Sequence, residues 1–209
     1  MSCRKLGAVD IADLSFTLCH STLLRYAMNR TELLRQLRAH QPSDARERGM
    51  LERIADFVRD NETCFDRNLR MGHLTGSAWI VDQDRSHALL THHARLDIWV
   101  QPGGHVENDP DMLNAAWREA REESGLNNVR PIYDHIFDVD VHQIPENPKD
   151  PAHLHFDIRF LFEADRDAEL TVTAESKSLR WIALDKITEI TQEESVLRMV
   201  RKTIAAKKS

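Results

Sequence analysis

The sequence lacks an excess of positive charge, because its 28 lysines and arginines are outnumbered by 34 aspartates and glutamates. The net charge of −6 argues against a general nucleic-acid-binding protein, which would present a basic face. The sequence also lacks any run of eighteen apolar residues, so we expect neither a transmembrane helix nor a membrane partner. Its first residues contain no apolar segment with a cleavage site, and no secretory signal is predicted.

Cysteine is scarce and irregularly placed. Cys3, Cys19 and Cys64 are odd in number, scattered and without metal-ligand spacing. This usage is typical of free thiols in a reducing cytoplasm, which is the location we expect. The 209 residues, 41% of them hydrophobic, are enough for one domain, or for one domain with a smaller appendage.

The N-terminal part of the chain is predicted to be helical. One helix should begin at a capping Thr31 and continue to residue 39, and a second should run from a cap at Ser43 to about Asp60. We therefore expect an N-terminal helical extension at residues 1–66, followed by a second domain at residues 67–209. Packing of these helices on the core is the simplest interpretation, and a homodimer surface or a lid over an active site are the alternatives.

The second part of the chain alternates strands and helices without the regular repeat of a doubly wound fold. This pattern predicts an α+β fold with a mixed sheet. The expected strands cover residues 74–81, 87–91, 132–142, 153–162 and 179–184, and a C-terminal helix is expected at 189–207.

The chemistry of the chain is concentrated in residues 103–126. There, Glu119, Glu122 and Glu123 share one face of a predicted helix. Carboxylates this close together repel one another, and a hard divalent cation such as Mg²⁺ is the simplest reason for their presence. The alternative is that the three glutamates form a solvated acidic face, which is the usual case for glutamate-rich helices in general.

We expect this helix to run from about residue 110 to 124 and to stop at Gly125. Asp109 would be its N-cap, and Pro110 suits the first helical position, where the missing N–H is not needed. The helix should pack into the protein through an apolar stripe and turn its glutamates towards a surface cleft. The stripe comprises Leu113, Ala116, Trp117 and Ala120.

The residues around these glutamates resemble the Nudix box, the signature of the Nudix hydrolase family. The resemblance covers residues 104–126, which are 23 of the 209 residues. The matching residues, at the family's spacing, are Gly104, Arg118, Glu119, Glu122, Glu123, Gly125 and Leu126. The sequence departs from the family pattern at Ala120, which takes an aliphatic position, and at Pro110, which stands in place of the first glutamate. The resemblance implies an α/β/α sandwich that hydrolyses a nucleoside diphosphate linked to another moiety.

The resemblance also implies roles for individual residues. Mg²⁺, with Mn²⁺ as the alternative, would be bound by the backbone carbonyl of Gly103 and the carboxylates of Glu119, Glu122 and Glu123. Arg118 would orient these glutamates by charge-assisted hydrogen bonds. The proton acceptor is either a glutamate of the box, such as Glu122, or one from a loop, where Glu175 is the first candidate and Glu146 the second.

Two polar strands that follow the box are expected to form an antiparallel hairpin. In the predicted register Asp140 faces His155 and Asp138 faces Asp157. We select His153, His155 and Asp157 as candidate substrate contacts. The alternatives are a face exposed to solvent or to an interface, and a second metal site, since imidazole and carboxylate are good ligands.

The leading hypothesis is a metal-dependent hydrolase that acts on a small-molecule nucleotide. The alternative is a Nudix-fold ligand-binding or regulatory protein, although such proteins usually lose box glutamates and all three are present here. An isomerase of the isopentenyl diphosphate type shares the fold but needs a pocket cysteine, and Cys64 precedes the core strands. The sequence does not identify the substrate, because the proline typical of ADP-ribose hydrolases is replaced by Val141. The tyrosine of dinucleoside polyphosphate hydrolases is missing from residues 142–144.

Overall fold

A computed structural model describes residues 30–107, 111–148, 150–174 and 176–207. The helices are α1 at residues 30–39, α2 at Ala45–Asp60, α3 at Met112–Ser124 and α4 at Glu194–Ala206, with a 3₁₀ helix at Leu184–Glu189. The strands are β1 (Gly72–Val81), β2 (His87–His93), β3 (Trp99–Val100), β4 (Gly103–His105), β5 (Arg130–Pro131), β6 (Asp138–Ile144), β7 (His153–Glu163) and β8 (Ser176–Ala183). Within these ranges, every helix is too short or too polar to cross a membrane.

The strands form one mixed sheet centred on β1 and β7. These two strands run parallel, from Gly72 opposite Leu154 to Val81 opposite Glu163. β6 lies antiparallel to β7, β4 pairs with the middle of β1, and β2 joins the end of β1 to β3 and β8. Every residue of β1 is buried, as expected for a central strand that is covered on both faces.

Helices cover both faces of this sheet. On one face, Leu74 of β1 and Phe156 of β7 belong to a core that includes apolar side chains of α1, α2 and α3. On the other face, Trp79 and Leu161 pack in a second core with the 3₁₀ helix and α4. Successive residues of β1 and β7 alternate between the two cores, as strand geometry requires. The predicted α/β/α sandwich with a mixed sheet is therefore confirmed.

The predicted N-terminal helices pack on the core rather than standing apart from it. Their buried side chains include Leu33, Leu37, Ile54 and Val58. Phe57 of α2 stacks on Phe156 of β7, with ring centroids 3.8 Å apart. The N-cap of α2 is Asp44, one residue after the predicted Ser43. A domain boundary near residue 66 stays a prediction.

The start of α3 differs from the predicted one. The helix begins at Met112, because Asp111 is the N-cap and accepts hydrogen bonds from the N–H groups of Leu113 and Asn114. The predicted cap, Asp109, and the following Pro110 lie outside the described residues. The end of the helix is as predicted, since Gly125 adopts the left-handed φ of 73° that favours glycine.

Two other predicted elements are shorter in the structure. The strand predicted at 132–142 is interrupted, because only Arg130–Pro131 and then Asp138–Ile144 pair with β7. The C-terminal helix predicted from residue 189 begins at Glu194, since Leu184–Glu189 forms the separate 3₁₀ helix.

The predicted register of the β6–β7 hairpin is wrong by two residues. Asp140 lies opposite Asp157, His142 lies opposite His155, and Asp138 lies opposite Arg159. The predicted loop began too early, because β6 continues to pair as far as Ile144. A shift of two residues keeps each side chain on its predicted face but changes every partner.

A buried group of charges fills the polar face of β6 and β7. The guanidinium of Arg159 contacts the carboxylates of Asp138, Asp140 and Asp157 at 2.7–3.3 Å. From α4, Arg198 donates two hydrogen bonds of 2.8 Å to Asp138. Burial opposes the ionisation of Asp140, but the charge of Arg159 holds the pKa of this carboxyl below its ordinary value. The two facing aspartates are tolerated because Arg159 contacts both.

The same charge network reaches the N-terminal helices through Glu47 of α2. Lys202 of α4 contacts Asp138 at 3.3 Å and donates a hydrogen bond of 2.6 Å to the fully buried Glu47. Ser43 donates to Glu47 as well, and His40 lies 2.8 Å from its carboxylate. Burial opposes ionisation, but the bonds from His40 and Lys202 hold the pKa of Glu47 well below its ordinary value. Charge pairing therefore joins α2 to α4.

We predict that Arg198→Met lowers the free energy of unfolding by about 3 kcal/mol, because it leaves a buried carboxylate short of a partner. This is the lower end of the range for breaking buried pairs, since Arg159 and Lys202 still contact Asp138. Arg201→Met, on the exposed side of the same helix, should change it by about 0.5 kcal/mol or less. Urea denaturation of both variants measures the difference, and equal small losses would contradict a stabilising network.

Candidate active site

The three predicted metal-binding glutamates do not share one environment. Glu119 and Glu123 are only 8% exposed, whereas the side chain of Glu122 is 60% exposed. Of the predicted apolar stripe, Leu113, Ala116 and Ala120 pack in the core, whereas Trp117 does not. Ala116 and Ala120 are fully buried in the core, but Trp117 is 37% exposed and donates a hydrogen bond to the carbonyl of Val129, just before β5. Small alanines let α3 approach the sheet closely enough to bury the neighbouring carboxylates.

Glycine makes this close approach possible. A Cβ added to Gly104 in β4 would lie 2.6–2.7 Å from all three atoms of the Glu119 carboxylate group. A Cβ added to Gly103 would instead meet the side chain and Cα of Ser77 at 2.2–2.8 Å. Gly104 therefore makes room for a functional side chain, whereas Gly103 makes room for the neighbouring strand.

Arg118 connects the glutamates of α3 to β4. Its Nη1 atom lies 2.9 Å from carboxylate oxygens of both Glu119 and Glu122, and its Nη2 donates a 2.8 Å hydrogen bond to the carbonyl of His105. Partial burial disfavours the charged guanidinium, but the two carboxylates raise the pKa of Arg118 above its ordinary value. The contacts are those expected of a residue that orients glutamates, and that role stays a prediction.

The carboxylates of α3 suit a hard divalent cation. Glu119 and Glu123 are buried one helical turn apart, where two negative charges repel each other. Mg²⁺ prefers oxygen ligands and is usually held by one or two carboxylates together with substrate phosphates. Glu122 would have to turn inward to join them, because its carboxylate is exposed and paired with Arg118. These oxygen donors therefore fit Mg²⁺ or Mn²⁺. The roles of Glu119, Glu122, Glu123 and Gly103 as metal ligands stay predictions.

The predicted substrate contacts lie on the face of the sheet opposite to α3. Because Gly104 faces α3, its neighbour His105 faces the other side, as do His153, His155 and Asp157 of β7. Asp157 is 1% exposed and accepts hydrogen bonds from Thr75, Ser77 and Arg159. These partners show a structural task for Asp157. The role of the three residues in substrate binding stays a prediction.

Five histidines gather at one end of this face, where β1, β4, β6 and β7 meet. They are His73, His105, His142, His153 and His155, and neighbouring rings have centroids 4.9–5.6 Å apart. Burial and the neighbouring imidazoles lower the pKa of His73 to about 4 and that of His155 to about 2. Sequence reasoning missed His73, because its position opposite His155 results from the parallel pairing of two strands that are distant in sequence.

The two loop candidates for the proton acceptor are Glu175 and Glu146. Glu175, the first candidate for the proton acceptor, lies outside the described residues, immediately before β8. Glu146, the second candidate, is exposed in the β6–β7 connection. His92, another histidine of the chain, pairs with Asp97 at 2.8 Å and stacks on Trp99, which are structural contacts.

Comparisons with known proteins indicate the family to which the chain is related. The family model of the NUDIX domain matches residues 72–202. The m7GpppN-mRNA hydrolase NUDT17 of Danio rerio is 41% identical over 78 residues, which cover 34% of this chain and 26% of that protein. The asymmetrical bis(5'-nucleosyl)-tetraphosphatase of Rattus norvegicus is 26% identical over 99 residues, which cover 47% of this chain and 64% of that protein. The chain thus spans less than two thirds of either relative.

A solved structure shows the same fold. An Ap4A hydrolase of C. elegans, in a binary complex, superposes with a TM-score of 0.51 and 18% sequence identity. The match covers 63% of this chain and 95% of that one. At this level of identity the likeness concerns the fold alone.

We predict that Gly104→Ala weakens Mg²⁺ binding by about 10-fold or more, because the new Cβ displaces the Glu119 carboxylate. The free energy of unfolding should change by about 1 kcal/mol or less, since the displaced group is the end of a flexible side chain. Gly103→Ala is the matched comparison and should cost about 1–3 kcal/mol of stability, because its Cβ meets the backbone of β1. Calorimetric Mg²⁺ titration and urea denaturation measure both effects. Wild-type Mg²⁺ affinity in Gly104→Ala would remove Glu119 from the ligand set.

Proposed function

The chain belongs to the Nudix family, and on that premise we propose that it is a metal-dependent hydrolase of a diphosphate bond in a nucleoside diphosphate linked to another moiety. The observation that carries the proposal is the pair of buried carboxylates, Glu119 and Glu123, one turn apart on α3. Mg²⁺ is the proposed cation, with Mn²⁺ as the alternative. Residues 67–209 are the proposed catalytic domain, and residues 1–66 are its helical extension.

The box residues are proposed to hold the cation in a fixed place. Its ligands would be the carbonyl of Gly103 and the carboxylates of Glu119, Glu122 and Glu123. When bound, the cation neutralises charge on the diphosphate oxygens and activates water as a nucleophile. Arg118 donates a hydrogen bond to the carbonyl of His105 and also contacts the Glu119 carboxylate. The first contact fixes the guanidinium, which in turn restrains the carboxylate. Ligands held this way need little rearrangement when substrate arrives.

The reaction also requires a group that accepts a proton from the attacking water. The water oxygen forms a bond to one phosphorus, the bridging phosphorus–oxygen bond breaks, and two phosphate-bearing products leave. We propose Glu175 as the acceptor, with Glu122 and Glu146 as alternatives. Glu175 directly precedes Ser176, which pairs with His93 and bonds to Thr91 in β2.

The curated relatives support a substrate in which phosphoanhydride bonds join a nucleoside to a second group. One relative is named for hydrolysis of m7GpppN-mRNA and the other for hydrolysis of bis(5'-nucleosyl) tetraphosphates. Both names describe a phosphate chain attached to a nucleoside at each end. For this chain we propose the small-molecule class, because a net charge of −6 disfavours binding to a long nucleic acid.

We predict turnover of at least one substrate in a panel of ADP-ribose, a dinucleoside tetraphosphate, a cap dinucleotide and a nucleoside triphosphate, with Mg²⁺ or Mn²⁺. Glu123→Gln should lower the rate about 10²-fold or more, because it removes a charge that stabilises the transition state. Glu189→Gln, an exposed change in the 3₁₀ helix, is the matched control and should retain the wild-type rate. Chromatography of the nucleotide products measures the turnover.

Two outcomes would reject the hydrolase proposal. Binding of these nucleotides without turnover would favour the ligand-binding or regulatory alternative. Equal rates in wild type and Glu123→Gln would show that the buried carboxylates do not support the reaction.

We predict that Glu175→Gln lowers kcat about 10²–10⁴-fold and removes the acidic limb of the pH–rate profile, as expected on loss of a general base. Glu146→Gln should leave both unchanged, and it serves as the loop control. The reverse pattern would assign the base to Glu146. Unchanged rates in both variants would leave Glu122 of the box as the acceptor.

A further inference from the structure

Three histidines of the cluster have the arrangement of a metal-ligand set. His73 lies on β1, and His153 and His155 lie two residues apart on the same face of β7. One ring nitrogen from each of the three lies within 4.8 Å of the other two. β1 and β7 pair directly at this point, with His73 opposite His155, so the backbone holds the set together without any ion.

The hydrogen bonding of these rings leaves nitrogens available for a ligand. His73 is 2% exposed, and neither of its ring nitrogens has a hydrogen-bond partner in the part of the chain that the structure describes. Buried polar atoms are nearly always paired, so a pair of unsatisfied nitrogens on one ring calls for an explanation. A bound cation explains one of them directly.

The partners of His153 orient it as a metal-bound histidine is oriented. Its Nδ1 lies 2.8 Å from the carbonyl of Pro151, which fixes the proton on Nδ1 and leaves the lone pair on Nε2. That Nε2 lies 3.3 Å from the Nε2 of His155, whose N–H it accepts when no ion is bound. Two nitrogens bound tetrahedrally at about 2.0–2.1 Å from one ion lie about 3.3–3.4 Å apart, so the spacing fits a shared cation.

The ligand type selects the class of metal. Neutral imidazole binds Zn²⁺, Co²⁺, Ni²⁺ and Cu²⁺, whereas Mg²⁺ prefers oxygen. Three protein ligands leave a fourth tetrahedral position for water, a substrate oxygen or the neighbouring His105, whose ring centroid lies 4.9 Å from that of His73.

We propose that His73, His153 and His155 bind a divalent first-row transition cation of the Zn²⁺ class, at a site separate from the carboxylates of α3. The two sites lie on opposite faces of β4, since Gly104 faces Glu119 while His105 faces the histidines. The ion links the first residues of β1 and β7. It also borders His105, whose carbonyl accepts the hydrogen bond of Arg118.

Co²⁺ is the probe for this site, because its visible absorption reports tetrahedral nitrogen ligation. Tag-free full-length protein is stripped with a chelator and titrated with Co²⁺ in the presence of millimolar Mg²⁺. We expect about one Co²⁺ per chain with visible d–d bands, bleached by one equivalent of Zn²⁺. Zn²⁺ stoichiometry by mass spectrometry should agree, and Zn²⁺ should raise the melting temperature.

The variants locate the ion. His155→Ala and His153→Ala should each weaken Co²⁺ binding more than about 100-fold, because loss of outer-sphere partners alone costs 10–100-fold. The half-buried His153 provides a second variant if His155→Ala fails to fold. His135→Ala, at an exposed histidine outside the cluster, should bind Co²⁺ as the wild type does. Glu122→Gln should also keep the Co²⁺ site, which separates it from the proposed hydrolase centre.

Three results would overturn the site. They are the absence of d–d bands in the wild type, wild-type affinity in both His153→Ala and His155→Ala, and displacement of Co²⁺ by millimolar Mg²⁺. The last result would place the ion on the carboxylates of α3. None of these measurements depends on turnover, so the metal site and the hydrolase proposal can fail independently.

Discussion

The buried contact of Arg159 with three aspartates is the constraint on which much of the fold depends. A guanidinium that is only 2% exposed is stable only if carboxylates surround it, and Asp138, Asp140 and Asp157 provide them. Asp157 lies on the same strand as Arg159, and the observed register of β6 against β7 brings Asp138 and Asp140 within reach as well. The network then extends through Asp138 to Arg198 of α4, so that the polar face of the sheet also positions a helix. Buried charges of this kind add specificity to packing that apolar contacts alone leave less defined.

As a result, the two faces of the sheet differ in composition and in the helices that cover them. The face that carries the charges is covered by α4 and ends in the histidine cluster. The other face is apolar, with glycines and alanines where α3 crosses it, so the helix lies close to β4. Close packing is what buries Glu119 and Glu123, because longer side chains at residues 104 and 116 would hold the helix away. The acidic site is therefore a consequence of small residues as much as of glutamates.

Sequence reasoning succeeded where the determining signals are local. The Gly125 stop of α3, the spacing of the box and the alternation of polar and apolar residues in β7 all depend on near neighbours. It failed at the β6–β7 register, because a shift of two residues preserves the alternation from which the register was read. The burial of Glu119 was not expected for another reason, since the predicted stripe included Ala116 and Ala120 but its small side chains were not read as a sign that the helix approaches the sheet closely.

The pairing of β1 with β7 could not be read from the sequence at all. Parallel neighbours need a long connection, and about 80 residues separate His73 from His155, so no local pattern joins them. That pairing places His73 of β1 beside His153 and His155 of β7, which completes the set of three histidines. It also explains how two proposed cation sites can coexist within one sheet. The carboxylates of α3 offer oxygen to a hard cation, and the imidazoles offer nitrogen to a softer one. β4 lies between the two sites, and the hydrogen bond from Arg118 to the His105 carbonyl links them. Selectivity between the cations then follows from ligand chemistry, because neither site contains the donors that the other's ion prefers.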